Sequence, residues 1–310
     1  MTAAQEVGVV LDGTGGVWHV RIAGETRPAR LRGKVKNDSA LKLSVGDHVV
    51  VEEDTRGGSW VISEIFPRTS QLARREPGAG HGERVLAANV DQVVVVFAVA
   101  RPEPHVRMLD RFLVIAEGND LRARIVVNKI DLAEPVVVAE RFGDYSRAGY
   151  PLHLTSVKDG AGLDDLREAM TGVVSVLTGP SGVGKSSLLN TIYPGLNLRV
   201  GEISESVQKG RHTTVGASLH ALPDEAGGYV VDTPGLREVG MWGLPAEELA
   251  RCFPEFRPFL GECRFGDCTH LREPGCAVRS AVDSGEMSGA RYESYSRLYA
   301  ELEEMERSLR

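Results

Sequence analysis

The stretch Thr178-Gly179-Pro180-Ser181-Gly182-Val183-Gly184-Lys185-Ser186-Ser187 decides how this 310-residue chain is read. It follows an apolar run, Val173 to Leu177, that predicts a buried strand. It precedes Leu188-Leu189-Asn190-Thr191-Ile192-Tyr193, a predicted short helix stopped by Pro194 and Gly195. Strand, glycine-rich turn and helix in that order give G-x-x-x-x-G-K-S the context of a phosphate loop. Gly179, Gly182 and Gly184 let the backbone curl, so that successive N–H groups and the helix N-terminus aim at a polyphosphate. Lys185 adds a cation at the β and γ phosphates, and the Ser186 hydroxyl is a natural Mg²⁺ ligand. A glycine-rich turn that binds nothing would not need Lys-Ser at the helix start. The loop from Gly179 to Ser187, with Pro180, Ser181 and Val183 inside it, therefore predicts a nucleoside-triphosphate site.

Upstream, Val90 to Val99 is mostly apolar and β-branched, the pattern of a strand buried on both faces. Met108, Leu109, Phe112, Leu113, Ile115 and Ala116 then recur at helical spacing. A second buried strand, Ala123 to Val127, ends at Asn128-Lys129-Ile130-Asp131. Strand, helix and strand make a parallel α/β unit whose ligand sites lie at the carboxyl ends of the strands. Asn-Lys-x-Asp at such an end fits guanine. That base offers a ring N–H and an exocyclic NH₂ side by side, and the Asp131 carboxylate can accept both. Adenine lacks the pair and would leave a carboxylate unsatisfied. Lys129 would lie along the base, and Asn128 would tie neighbouring loops together. Pro151 to Leu154 reads as a further strand, leading into Thr155-Ser156-Val157-Lys158 and a helix from about Leu163. This is an inexact version of the Ser-Ala-Lys turn that meets the guanine carbonyl, with Ser156 as the candidate contact.

Downstream of the phosphate loop, a polar segment from Gly201 leads to Arg211-His212-Thr213-Thr214. A loop carrying a threonine is the element that senses a γ-phosphate through Mg²⁺, and either Thr213 or Thr214 suits. Tyr229-Val230-Val231 then ends at Asp232-Thr233-Pro234-Gly235. Here Asp232 would hold the Mg²⁺ shell and the Gly235 amide would meet the γ-phosphate. Leu236 stands where many GTPases carry a water-orienting glutamine, so slow intrinsic turnover is expected. His212 is a candidate for handling the water's proton, against the reading of a surface or structural histidine. The boxes run in an unusual order, with guanine reading before phosphate binding. One sheet can still form if the domain is circularly permuted, with its break just after Asp232–Gly235.

Residues 1–75 carry short alternating runs separated by glycine turns, predicting strands at Val7–Leu11, Val17–Ile22, Arg30–Lys36, His48–Glu52 and Ser59–Ile65. About five short strands fit a small barrel of the oligonucleotide/oligosaccharide-binding (OB) type, with an SH3-like barrel as the alternative. Arg30, Arg32, Lys34 and Lys36 would share one face of the third strand, as an RNA-facing surface or a merely solvated one. A basic, glycine-rich stretch from Phe66 to about residue 86 reads as a linker, centred on 76–86. The GTPase-like region spans 87–243.

The remainder, 244–310, contains Cys263, Cys268, His270 and Cys276 at spacing C-x₄-C-x-H-x₅-C. Three thiolates and an imidazole suit a closed tetrahedral structural zinc site. Cys252 reads as a core cysteine, with its use in place of His270 as the weaker option. Ala246–Phe253 and Ala290–Leu309 read as flanking helices. Composition supports a multidomain, soluble, cytoplasmic chain: 42% hydrophobic and 25% charged residues, and no apolar run long enough to cross a bilayer. The formal net charge of −7 leaves nucleic-acid contact to local basic patches.

Taken together, these motifs closely resemble the RsgA/YjeQ family of circularly permuted GTPases, along essentially the whole chain. The resemblance implies a cytoplasmic GTPase that hydrolyses GTP to GDP and phosphate and acts late in maturation of the small (30S) ribosomal subunit. It implies 16S rRNA contacts through barrel and zinc modules, and stimulation by the 30S particle. It places nucleotide contacts at Asn128, Lys129, Asp131 and Gly179 through Ser187, and zinc ligands at Cys263, Cys268, His270 and Cys276. A monomer is expected, with no membrane partner. Two other readings stay open at the level of residues: a permuted GTPase serving a protein or membrane partner, and a nucleotide-gated RNA switch with negligible hydrolysis.

Overall fold

A computed structural model describes residues 5–33, 42–54, 59–75, 83–198, 217–223, 227–232 and 244–308. The first strands are β1 (Gln5–Thr14), β2 (Val17–Ile22), β3 (Glu25–Leu31), β4 (His48–Glu53) and β5 (Trp60–Ile65). They close into a barrel in the order β1-β2-β3-β5-β4, with β4 returning to β1. Only β3 and β5 run parallel, which is the connectivity of an OB barrel. Val10, Val20, Ile22, Ala29, Val49, Val51 and Ile62 fill it.

The third strand differs from expectation. Ala23 and Gly24 both take positive φ, 47° and 90°, which makes a two-residue hairpin turn and starts β3 at Glu25. Pairing with β2 then runs from Ile22 opposite Glu25 to Val17 opposite Arg30, and β2 is exhausted. Strand β3 ends at Leu31, so among the described residues the expected run Arg30–Lys36 with its four-cation face is not a strand. Arg30 is exposed near the end of β3. Arg32 lies beyond it and donates to Glu52 Oε2 at 2.6 Å. Lys34 and Lys36 lie outside the described residues.

The expected linker is also partly structured. Strands β6 (Gln71–Arg75) and β7 (Glu83–Ala88) pair antiparallel, so 83–86 belong to a hairpin. Its apolar side, with Leu72 and Ala87, joins a core shared with Leu11 and Val45 of the barrel region and Val93 and Phe97 beyond. Arg68 turns inward: Nε and Nη2 grip Asp47 at 2.7 and 2.9 Å, and Nη2 also reaches Lys42 O at 2.7 Å. Asp47 is fully buried, so that cation is held by an anion and is not offered to a partner.

Six strands form the central sheet: β8 (Gln92–Ala98), β9 (Arg122–Asn128), β10 (Leu152–Leu154), β11 (Val174–Thr178), β12 (Ser218–Ala221) and β13 (Tyr229–Asp232). Their spatial order is β10-β9-β8-β11-β13-β12, and only β12 is antiparallel. All seven residues of β8 are buried, as the apolar run Val93–Ala98 demands, with Gln92 buried at its start. Helices α1 (Val106–Glu117), α2 (Pro135–Arg147), α3 (Leu163–Met170) and α4 (Lys185–Ile192) connect the strands. The strand order reverses between the neighbours β8 and β11, so the crevice for a ligand opens at their carboxyl ends.

Beyond residue 243, two 3₁₀ segments (Ala246–Cys252 and Pro254–Phe259) precede α5 (Ala277–Asp283) and α6 (Gly289–Ser308). Leu249, Phe253, Phe256, Val278, Tyr295, Leu298 and Leu302 make a second core that also takes in Val114 of α1. Arg291 of α6 is buried at the seam. Its Nη1 donates to Asp110 of α1, and its Nε donates to Glu255 at 2.6 Å. Tyr145 of α2 donates to the same Asp110 carboxylate at 2.9 Å. Among the described residues no helix is long and apolar enough to cross a membrane.

Candidate nucleotide site and metal centre

The phosphate loop follows β11 and enters α4. Two glycines are required by close approach. A Cβ at Gly179 would sit 2.0 Å from Val96 O, and one at Gly184 would sit 2.6 Å from Asn128 Nδ2. Their φ values of 135° and 97° are also ones that side chains disfavour. Lys185 is 4% exposed, with Nζ donating to Gly179 O at 2.8 Å and Pro180 O at 2.7 Å. Its ammonium thus lies inside the loop, where a polyphosphate can replace those carbonyls. Ser186 is buried in the first turn of α4. Asp232 ends β13, the strand beside β11.

The base-reading residues come to this loop from β9. Asn128 is 1% exposed; its Nδ2 donates to Val183 O at 2.9 Å and its Oδ1 accepts from Thr155 Oγ1 at 3.2 Å. One amide thereby joins the phosphate loop, the end of β9 and the turn after β10. Lys129 takes a left-handed conformation, φ 61°. Its Nζ donates to Gly182 O at 2.7 Å and to Arg101 O, which lays the stem across the crevice. Ile130 starts a short 3₁₀ turn with Asp131. Asp131 Oδ1 accepts from Ser156 Oγ at 3.0 Å, and Lys158 Nζ is 3.8 Å from Oδ2. The carboxylate keeps acceptor capacity for an N–H pair. Ser181 and Ser187 belong to the same loop. Thr155 stands in the expected turn without an assigned role and Arg101 in no motif; both act through contacts 27 and 28 residues away. His212, Thr213, Thr214 and Gly235 lie outside the described residues.

The second cluster is Cys263, Cys268, His270 and Cys276, whose ligand atoms all lie within 4.8 Å of one another. His270 Nδ1 is 3.5 Å from both Cys263 Sγ and Cys276 Sγ, and the two sulfurs are 3.9 Å apart. A tetrahedral zinc centre with ordinary Zn–S and Zn–N bonds has edges of about 3.5–3.8 Å, so the donor set fits that ion. Two backbone N–H groups point at the sulfurs: Ala277 N at 3.4 Å from Cys263 Sγ and Arg279 N at 3.4 Å from Cys276 Sγ. Burial pushes the Cys268 thiol up to about 12, so a thiolate there calls for a cation. The same effect lowers His270 and favours the neutral imidazole that ligates. Cys252 stands apart in the module core, its Sγ 3.7 Å from Glu248 O, and burial pushes its thiol to about 12.

A mostly parallel sheet with the phosphate loop after β11 and the guanine box after β9, on either side of β8 and reached in rotated chain order, defines a circularly permuted GTPase. The sequence profile of the RsgA GTPase matches residues 65–242. The small ribosomal subunit biogenesis GTPase RsgA of Gemmatimonas aurantiaca is 58% identical over 299 residues, covering 95% of this chain and 97% of that protein. Its namesake from Alkaliphilus metalliredigens is 40% identical over 97% of this chain and 99% of its own. The crystal structure of YjeQ from Thermotoga maritima superimposes with a TM-score of 0.81 at 38% identity, covering 96% of this chain and 99% of that one. YloQ, a circularly permuted GTPase, gives a TM-score of 0.75 at 30% identity, over 97% and 96% of the two chains. The chain belongs to the RsgA GTPase family. It is a GTP-hydrolysing enzyme, and membership implies a guanine nucleotide and Mg²⁺.

Proposed function

We propose that this chain is a cytoplasmic, monomeric GTPase that binds the 30S ribosomal subunit and assists its late maturation, with hydrolysis stimulated by that particle. The relatives' names support the ribosomal assignment. The observation that carries the nucleotide chemistry is the Asn128 bridge, which fixes the Asp131 loop beside the phosphate loop. In this reading Asp131 accepts the two guanine N–H groups, Lys129 covers the base, and Ser156 fixes the carboxylate. Gly179 through Ser187 wrap the phosphates. Ser186 and Asp232 would hold Mg²⁺, with Thr214 and Gly235 sensing the γ-phosphate. A bound Mg²⁺ supplies charge neutralisation at the phosphates. His212 would orient or deprotonate the attacking water once the particle orders its loop. One zinc ion at Cys263, Cys268, His270 and Cys276 would be structural.

The barrel (1–75), the stretch 76–86, the GTPase domain (87–243) and the zinc module (244–310) would act as one particle-reading unit, with 16S rRNA contacts through barrel and zinc module. With Arg68 turned inward and Arg32 paired, backbone-directed rRNA contact by the barrel rests on fewer cations than its sequence offers. Sedimentation with purified 30S and 50S subunits tests this. The chain should pellet with 30S in a non-hydrolysable GTP analogue and leave it in GDP. Equal binding to 50S, or no binding to 30S, would defeat the assignment.

A further inference from the structure

His270 is held at φ 63°, a left-handed conformation that costs a non-glycine residue about 1–2 kcal/mol. Its surroundings supply the compensation. Glu273 straddles the residue with both carboxylate oxygens. Oε1 accepts from Thr269 N at 3.0 Å and Thr269 Oγ1 at 2.5 Å, while Oε2 accepts from Leu271 N at 3.1 Å and Arg272 N at 3.0 Å. Four donors, from both sides of His270, converge on one anion. Backbone N–H groups that curl around an anion form a concave nest, and the anion sets their dihedral angles. Burial pushes this carboxyl up, yet the Thr269 hydroxyl and the backbone N–H groups outweigh it and hold the group at about 2.

The carbonyl side of the same turn is held from α6. Tyr295 Oη donates to Thr269 O at 2.7 Å and Tyr292 Oη donates to His270 O at 2.8 Å. With the backbone held by these two sets of bonds, the imidazole Nδ1 faces the Cys263 and Cys276 sulfurs at 3.5 Å. Glu273 itself is not among the clustered ligand atoms.

We infer that Glu273 is the positioning residue of the metal centre: its carboxylate builds the Thr269–Arg272 turn that aims His270 at the cysteine sulfurs. The site is thereby shaped by the protein before any ion enters. This rests on reading the cluster as a zinc site. Partners that orient a ligand without touching the metal typically carry a 10–100-fold effect on affinity, and Glu273 has the geometry of such a partner.

The test uses the full chain loaded with zinc, and the loss of zinc to an excess of a chromogenic chelator. Glu273→Gln keeps the size but loses the charge and one acceptor oxygen; Glu273→Ala removes both. Each should release zinc about 10–100-fold faster than the parent. The cobalt-loaded variants should also shift away from the absorption of a tetrahedral thiolate–imidazole centre. Release at the parental rate with an unchanged cobalt spectrum would overturn the inference. Thr269→Val removes one donor of the four and leaves the carboxylate, so it should accelerate release severalfold. If the Glu273 variants fail to fold, parental release by Thr269→Val overturns the inference by itself. A parent chain that takes up no zinc would instead sink the reading of the cluster.

Discussion

In the proposed site, Asp131 would carry the choice of base through one carboxylate. Ser156 fixes its Oδ1 at 3.0 Å, leaving the free lone pairs to meet the two N–H groups of guanine. Replacing Asp131 by Asn exchanges one acceptor for a donor. Xanthine presents a carbonyl where guanine presents its amino group, so the amide suits xanthine. Asp131→Asn should weaken GTP binding by about 10⁴-fold and bring xanthosine triphosphate into the range GTP has lost. Competition binding measures it, and undiminished GTP affinity would contradict the assignment. At this scale the sequence was informative where a motif is contiguous: Asn128–Asp131, Gly179–Ser187 and the Cys/His set were all legible as spacings. It was silent about Arg101 and Glu273, and about the part Thr155 plays. Their partners are met across turns, and a backbone carbonyl or N–H leaves no mark in a residue pattern.

The elements divide along the same physical line. Strands β8 and β9 and helix α1 were legible because burial on one or both faces imposes an apolar period. The strand expected at Arg30–Lys36 was misplaced because its charges alternate as a strand's would. A two-residue turn at Ala23-Gly24 instead starts pairing earlier. Residues 83–86 looked like linker because charge and glycine dominate there, whereas Leu72 and Ala87 give the hairpin its buried side. Helix α2, opened by Pro135, and edge strand β12 offered too few apolar positions to stand out.

The joint between α1 and α6 was hidden for another reason, since a buried arginine reads like a surface one. Arg291 is 3% exposed, between Asp110 and Glu255, and its guanidinium lies 4.6 Å from the Phe253 ring centroid. Arg291→Met would strand Asp110 without its cation and should destabilise the chain by about 3–5 kcal/mol, seen as a lowered urea midpoint. A midpoint within experimental error of the parent would show that the pair contributes nothing net.

For the whole molecule, the order of the boxes already implied the permutation, because a sheet can be assembled in rotated chain order without changing its neighbours. The observed order β10-β9-β8-β11-β13-β12 is that sheet. Its chain break leaves β13 at Asp232 and re-enters described structure at Leu244, where Ala246 N donates to Glu306 of α6 at 2.8 Å. Asp232, the candidate Mg²⁺-shell residue, and the module with the Cys/His cluster follow one another in the chain. The seam from α1 through Arg291 is continuous with Tyr292, which holds the carbonyl of a metal-cluster residue. In the proposed reading, a particle that engages the C-terminal module would have a short covalent route to the candidate γ-phosphate segment that begins at Asp232.

If this route serves the small ribosomal subunit, that particle should stimulate hydrolysis. The most direct test is steady-state GTP hydrolysis by the full chain, alone and with purified 30S or 50S subunits. Turnover should be slow alone, rise at least tenfold with 30S, a difference of about 1.4 kcal/mol in barrier, and change little with 50S. Turnover that 30S leaves unchanged, or that 50S raises equally, would contradict it.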